Sequence, residues 1–462
     1  MPILPLLLLP LLAAAQQPDW SAVETETLRH FQALVRMDTT DPPGNEAPAV
    51  EYLKRALEAE GIPTETFALD PKRPNLVARL KGNGSKRPML ILGHTDTVSV
   101  QAAKWTFPPF SATRDSGYVY GRGTLDDKDN VAAALAIMLG LKRLNVKLDR
   151  DVIFLAESGE EASVRFGIKY MVENHYAKID AEFCLAEGGD VVRSGGKLRY
   201  VTVAASEKIP YAVRMISKGP AGHGSRPLRN NSILKLAEAV SKAANWRTPM
   251  RMNDVTRTYF ERLAVAGSKD EAARYNGLLD PARTEAVQEF LALHEPKHNS
   301  MLRTSISPNM IGGGYQVNVI PSTAEATLDI RALPDENFDV FLEQLKKVVN
   351  DPEVSFERTS RDTRPLAPPS RLDTPAFRAL EESARKHYPG AVTLPTMLTG
   401  ATDMAYLRAR GMQCYGIGPM VDGEDGPKGF GPHSDQERIL ESSLHRFVRF
   451  QWDAVVGIAA SR

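Results

Sequence analysis

The sequence predicts an α/β protein with a smaller α+β unit inserted into its chain. Three observations lead there. From Asn75 to Ala186, short apolar runs alternate with helix-like segments, the pattern of a sheet with helices on its faces. Near Glu207 the pattern changes to strand, helix, strand, helix, strand. A Pro-rich stretch from Arg364 to Pro369 then leads back to helix-like sequence.

In chain order, Leu28 to Val35 and Ala49 to Ala59 carry helical periodicity. Asn75 to Leu80 and Pro88 to Gly93 read as strands, separated by the turn residues Gly82-Asn83-Gly84-Ser85. Val131 to Leu144 reads as an Ala/Leu-rich helix and Asp151 to Ala156 as a strand. Phe166 to His175 reads as a helix and Ala181 to Ala186 as a strand. Beyond Glu207, Tyr211 to Lys218 predicts a strand and Ser232 to Ala244 a helix. A polar, helix-rich stretch follows. Ala324 to Arg331 alternates as a strand, Phe338 to Val349 reads as a helix and Val354 to Arg358 as a strand. The helix Pro375 to His387 reopens the larger unit. The expected organisation is a leader at 1–15, a first catalytic part at 16–206, an inserted unit at 207–362 and a second catalytic part at 363–462.

Composition narrows the class. Of 462 residues, 57 are Lys or Arg and 57 are Asp or Glu, so the formal charge is zero. Phosphate binding needs a basic excess, which argues against nucleic acid as a partner. Hydrophobic residues at 42% and charged residues at 25% argue against disorder and against a multi-span membrane protein. The apolar run Ile3 to Ala15 is shorter than a bilayer span. It ends in Ala13-Ala14-Ala15, a small-residue cleavage pattern, and predicts a cleaved secretory signal with a secreted or periplasmic product. No stable membrane partner is then expected after cleavage. The n-region lacks Lys and Arg, and an uncleaved anchor is the alternative. Cys184 and Cys414 lie in apolar strand-like runs and read as buried free thiols, although an exported protein could pair them.

The chemistry-bearing residues collect at the ends of apolar runs. His94 and Asp96 end one strand and, two residues apart, point to one face. A histidine there can bind a metal while the carboxylate holds its ring; a turn histidine beside a capping Asp is the bland alternative. Asp126-Asp127 precede a helix, where N-capping explains one Asp well and a pair less well. Glu160-Glu161 follow another strand. Paired glutamates commonly mark a solvated loop, but two at a strand end can divide ligation from proton transfer. Glu187 follows a further strand, and that edge of an α/β sheet is where ligands sit. His433 lies in a late loop with Asp435 and Glu437, and His223 on a loop opening a helix. Two histidines with several carboxylates and no thiolate form a nitrogen and oxygen donor set that suits zinc, with manganese or cobalt as alternatives. A shared aspartate would make a two-metal centre. His294-Glu295-Pro296-Lys297-His298 matches HExxH in letters. That motif needs a helix, and Pro296 breaks it, so the segment reads as a surface helix end.

The ordered set resembles the co-catalytic di-zinc amidohydrolase family, which includes aminoacylase, carboxypeptidase G, carboxypeptidase S and succinyl-diaminopimelate desuccinylase. Its carriers are Gly93-His94-Thr95-Asp96-Thr97-Val98, Tyr120-Gly-Arg-Gly-Thr-Leu-Asp126-Asp127-Lys128, Glu160-Glu161, Glu187-Gly188 and Gly222-His223. Further along come Asn318…Pro321, Asp329-Ile-Arg331, Gly400-Ala-Thr402-Asp403 and His433-Ser-Asp-Gln-Glu437. The Gly-Arg-Gly-Thr-Leu-Asp-Asp-Lys run looks most like the carboxypeptidase S and N-acyl-amino-acid hydrolase branch. The resemblance implies a zinc-exopeptidase-like sheet flanked by helices, with the inserted unit as a lid and dimerisation domain. It implies two zinc ions per subunit, bridged by Asp126. His94 and Glu187 would complete one ligand set, Glu161 and His433 the other. Asp96 would orient His94, and Glu160 would be the general base. His223 would reach the scissile carbonyl oxygen, while Asn318 and Arg331 hold a substrate carboxylate. A cis peptide between Asp126 and Asp127 is implied as well. Two positions depart from the family pattern: Asp129 stands where a glycine is usual, and Ser158-Gly159 where His-Asp is common. The expected activity is hydrolysis of an amide bond next to a free carboxylate, in a small peptide or an N-acyl amino acid. The alternative is a non-catalytic, metal-stabilised binding protein on the same fold.

Overall fold

The structure, a computed structural model, describes residues 17–359 and 364–461. The expected leader at 1–15 lies outside the described residues.

The central sheet has ten strands. Across it run Thr64–Ala68, Pro74–Leu80, Val152–Glu157, Met89–His94, Phe183–Ala186, Gln413–Gly416, Lys197–Glu207, Val191–Ser194 and Met420–Asp422; Val392–Leu398 also pairs with Lys197–Glu207. Met89–His94 runs parallel to both Val152–Glu157 and Phe183–Ala186, and Gln413–Gly416 is parallel to Phe183–Ala186. Their carboxyl ends therefore lie side by side.

Strand alternation explains why this sheet is covered on both faces. Side chains two apart share a face. Val152, Phe154 and Ala156 belong to one apolar cluster, whereas Ile153 and Leu155 belong to another across the sheet. Met89 and Ile91 separate from Leu90 and Leu92 in the same way. Strands buried on both faces need continuous apolar runs, which is what the sequence carries. The larger cluster packs beneath the helices Trp20–Val35, Ala47–Ala59, Lys128–Arg143, Pro375–His387 and Glu441–Ala459. The other face is covered by Ile168–Asn174 and Met404–Arg408.

Lys128–Arg143 is buried almost all round, and its alanines let it lie close to the sheet. A Cβ on Gly93 would stand 2.9 Å from Val131 Cγ2 and 3.1 Å from Asp127 Oδ2. Glycine at the strand end is thus what lets the start of this helix, with its aspartates, sit against His94.

A second, four-stranded antiparallel sheet runs Ser305–Gly313, Thr323–Ala332, Ile209–Lys218, Val354–Arg358. Its buried face, with Val213, Met215, Leu328 and Ile330, packs on the helices Ser232–Asn245 and Phe338–Val349. The stretch between contains the helices Asp254–Ala266, Lys269–Gly277, Thr284–His294 and Pro296–Met301. Phe260, Leu263 and Leu291 there share a core with Leu394 and Met397 of the central sheet.

Cys184 and Cys414 are buried, free and directly opposite each other on neighbouring parallel strands.

Candidate metal centre

Three adjacent parallel strands deliver the first components. His94 ends Met89–His94 and lies opposite Glu157 in register. The chain turns after Glu157 through Gly159, at φ +78°, and presents Glu160 and Glu161. Glu187 follows Phe183–Ala186 directly. The carboxyl edge of a parallel sheet thus gathers one imidazole and three carboxylates.

Asp126 enters from the loop before Lys128–Arg143, across a cis peptide to Asp127. Glu437 shapes that loop: its carboxylate accepts the backbone N–H of Gly123 at 3.1 Å and of Leu125 at 2.7 Å, and pairs with Arg122 at 2.5 Å. Asp127 Oδ2 accepts the backbone N–H of His94 at 3.1 Å, and Asn130 donates to its Oδ1 at 2.7 Å.

The two oxygens of Asp126 face different imidazoles. Oδ1 lies 2.9 Å from His94 Nε2, and Oδ2 lies 3.0 Å from His433 Nε2. His433 Nε2 is also 3.1 Å from Glu161 Oε2. Ligating atoms of His94, Asp126 and Glu161 lie within 4.8 Å of one another, as do those of His94, Glu160 and Glu187. On the far side of the His94 ring, Nδ1 is 3.4 Å from Asp96 Oδ1. Asp96 is fixed by the backbone N–H groups of Gly159 at 2.8 Å, Glu160 at 3.1 Å and Glu161 at 3.0 Å. One buried carboxylate therefore ties the histidine to the turn that carries the two glutamates.

Burial pushes Glu160 and Glu187 well above the usual carboxylate range, and burial likewise pushes Asp127 up to about 7. Burial acts on Asp126 in the same sense, yet the hydrogen bonds from His433 and His94 hold it below its ordinary value. Hydrogen bonding to Asp126 and then Glu161 lifts His433 to about 10. Four carboxylates crowded around two imidazoles, with no thiol, form a donor set that matches hard to borderline divalent cations. The residues present fit two ions sharing Asp126.

The residues expected to meet substrate lie elsewhere. His223 sits in a short pairing of Gly222–His223 with Val319–Ile320, rather than on a loop opening directly into a helix. It is close to Asn318, whose carbonyl accepts the Gly224 N–H at 2.8 Å, and His223 Nδ1 accepts from Ser225 Oγ at 2.8 Å. Arg331 forms a forked pair with Asp329 at 2.8 and 3.0 Å. No hydrogen bond or ion pair among the described residues joins His223, Asn318 or Arg331 to the cluster.

The HExxH look-alike is two helices, Thr284–His294 and Pro296–Met301, split at Pro296. His298 is not at a surface end. Its Nδ1 meets Glu295 at 2.5 Å, its Nε2 meets Tyr259 Oη at 3.0 Å, and it packs among Tyr259, Phe260 and Tyr275.

Two features escaped the sequence. Arg364, from the Pro-rich return stretch, lies 2.5 Å from Glu160 Oε1 and 3.1 Å from Asp403 Oδ1. Its only outward signal was an arginine beside proline. Behind Asp96, buried Arg73 pairs with both Asp41 and Glu46 at 2.8 and 2.5 Å. Those three residues are scattered over the chain and carry no joint motif.

A model of the peptidase family M20/M25/M40 matches residues 90–455. This chain belongs to that family. It is therefore a metallopeptidase/amidohydrolase-type hydrolase, and the non-catalytic reading is set aside. Among relatives, it is 28% identical over 392 residues to a probable carboxypeptidase S-like protein of Dictyostelium discoideum, covering 82% of this chain and 74% of that one. It is 27% identical over 378 residues to a human N-fatty-acyl-amino acid synthase/hydrolase, covering 80% and 74%. Aminoacylase-1 of Mus musculus is 25% identical over 396 residues, covering 84% and 86%. The fold matches an M20 family metallo-carboxypeptidase from Sulfolobus solfataricus with TM-score 0.68 and 20% identity, covering 94% and 99%. It also matches a dinuclear metal-binding M20 peptidase of Bacillus subtilis, with TM-score 0.60 and 15% identity, covering 95% and 99%.

Proposed function

We propose that this M20 hydrolase uses two zinc ions to cleave an amide bond next to a free carboxylate, in a small peptide or an N-acyl amino acid. The observation that carries the reading is Asp126, with one oxygen toward His94 and the other toward His433, beside Glu160. His94 and Glu187 would hold one ion, Glu161 and His433 the other, and Asp126 both. When bound, the ions would supply Lewis acidity and a water of lowered pKa.

The protein's own groups do the rest. Asp96 fixes the ring of His94 and, through three backbone N–H groups, the turn bearing Glu160 and Glu161. Glu160 takes the proton of the attacking water and returns it to the leaving amine. Arg364 holds one oxygen of Glu160 and so fixes its direction. His223 donates to the carbonyl oxygen as charge develops there. Arg331 and Asn318 take the substrate carboxylate, Arg331 with the part of its guanidinium that does not donate to Asp329. The carboxypeptidase, aminoacylase and N-acyl-amino-acid names of the relatives support this substrate class.

We further propose export from the cytoplasm, which the apolar run ending in Ala13-Ala14-Ala15 supports. No helix among the described residues is long and apolar enough to cross a membrane. A homodimer through the second sheet is supported by its edge strand Ser305–Gly313, which exposes Met310 and Ile311 near exposed Tyr315 and Val317.

The test is a turnover panel on zinc-loaded protein: dipeptides, N-acyl amino acids and the same compounds with amidated termini. Faster hydrolysis of free-carboxylate substrates than of their amidated counterparts is expected. Equal rates on amidated compounds would overturn the carboxylate reading, and no turnover of any amide would overturn the hydrolase reading.

A further inference from the structure

A cavity of about 720 Å³ adjoins the candidate metal centre, with Asp126, Asp127 and Glu187 in its lining. Its walls are largely apolar and include Leu125, Leu398, Ile417, Met420 and Ile439. Several charges line it, and most are spoken for. Arg438 is committed to Asp425 at 2.8 Å and to Tyr120 Oη at 2.9 Å. Asp422 is committed to Arg193 at 2.5 Å.

Two carboxylates are not. Among the described residues, neither oxygen of Asp129, sealed in the wall, has a side-chain hydrogen-bond partner. The carboxylate of Asp190, three residues beyond Glu187, receives no hydrogen bond and no ion pair among the described residues. Only its backbone is engaged, with Thr202. Among the described residues the one uncommitted cation on the lining is Lys297, exposed on Pro296–Met301; its charge acts on Asp190 through space, but it lies within ion-pair distance of neither carboxylate. Ser443 adds a buried hydroxyl without a partner among the described residues. Carboxylates held in apolar surroundings are costly unless a cation meets them. Asp190 thus presents an acidic group, without an ion pair among the described residues, to space that a ligand can fill.

We propose that the cavity is a subsite for a substrate segment with an apolar body and a primary ammonium group, with Asp190 as the contact. Asp129, sealed in the wall, does not touch the ligand. An ammonium group supplies both the missing charge and three hydrogen-bond donors. A neutral acyl chain would fill the apolar walls but leave Asp190 unmet. The inference rests on the reading that an amide bond is cleaved at the adjoining metal centre. Within that reading it selects peptides with a free amino group over N-acyl amino acids.

The matched substrates are Leu-Phe, N-acetyl-Leu-Phe and N-acetyl-Lys-Phe, assayed for release of Phe by the zinc-loaded full chain. The best amine-bearing substrate should exceed N-acetyl-Leu-Phe in kcat/KM, and D190N should shrink that ratio about tenfold to hundredfold. D190E should restore part of it. Preference for Leu-Phe would place the α-ammonium at Asp190, and preference for N-acetyl-Lys-Phe the side-chain ammonium. A wild-type preference for N-acetyl-Leu-Phe, or a ratio unchanged in D190N, would overturn the proposal. Calorimetry with hexylamine, and with hexanol as the neutral control, reads the cavity without turnover. Tighter binding of hexylamine that weakens in D190N is expected, and equal binding of both compounds would overturn it. If no substrate is hydrolysed while hexylamine still binds through Asp190, the hydrolase reading fails and the subsite stands.

Discussion

Replacing Arg73 by Met should cost about 3–5 kcal/mol of folding stability, the range for a buried ion pair that loses one partner. The side chain of Arg73 is 3% exposed, that of Asp41 1% and that of Glu46 0%. The guanidinium donates to Glu46 through Nε and Nη2 and to Asp41 at 2.8 and 3.3 Å. Carboxylate oxygens of Asp41, Glu46 and Asp96 lie within 4.8 Å of one another. Methionine fills much of the same volume but leaves Asp41 and Glu46 without their arginine, beside Asp96. A triple variant, Arg73→Met with Asp41→Asn and Glu46→Gln, removes the stranded charges and should regain more than half of the loss. Urea unfolding at fixed zinc concentration, followed by circular dichroism and tryptophan fluorescence, measures both differences. There is also a local consequence. A Cβ at Gly159 would stand only 3.1 Å from Arg73 Nη2, so the turn bearing Glu160 and Glu161 rests on this guanidinium. Zinc affinity should fall in Arg73→Met as well. A loss below about 0.5 kcal/mol, the size of an ordinary surface change, would refute the reasoning. So would a triple variant no more stable than the single one.

Three further outcomes follow from the site. Glu160→Gln should lower turnover by roughly 10²–10⁴-fold with zinc content retained, whereas Glu161→Gln should lose zinc; turnover and bound metal are measured together. Arg331→Ala should reduce kcat/KM about tenfold to hundredfold for free-carboxylate substrates and barely affect amidated ones. His223→Ala should lower both; equal losses on acid and amide for Arg331→Ala would remove its role as carboxylate reader. Chelation should lower the melting temperature, because Asp126, Glu160, Glu161 and Glu187 then repel one another, and added zinc should restore it. A melting curve insensitive to chelator would contradict a metal at this cluster.

Part of the central sheet could be read from sequence because several of its inner strands are short apolar runs that lead into polar motifs. Met89–His94 and Val152–Glu157 are such runs, and their side chains alternate between two cores as the period requires. The helices Phe338–Val349 and Pro375–His387 and the strand Val354–Arg358 have the bounds that their patterns predict. Other strands were hidden. Ser305–Gly313 is an exposed edge with little apolar patterning. Val392–Leu398 contains Pro395, which argues against a strand when only local rules are applied.

At the site, His94 and Glu161 stood out because each follows an apolar run, and Asp126 and His433 because each sits in a compact polar motif among glycines. Arg73, Asp41 and Glu46 were not, since single charged residues in loops resemble solvated surface until the fold buries them. Arg364 was overlooked because its surroundings read as a linker, and its partner Glu160 lies about two hundred residues earlier in the chain. The unpaired state of Asp190 is a property of its neighbours in space, which no local pattern records.

The central claim is that Asp126 is shared by two ions. Anomalous diffraction from crystals of the zinc-loaded protein, collected above and below the zinc edge, tests it most directly. Two peaks per chain are expected, one against His94 and Glu187, the other against Glu161 and His433, with Asp126 between them. A single peak, or a pair in which Asp126 touches neither or only one ion, would contradict the account.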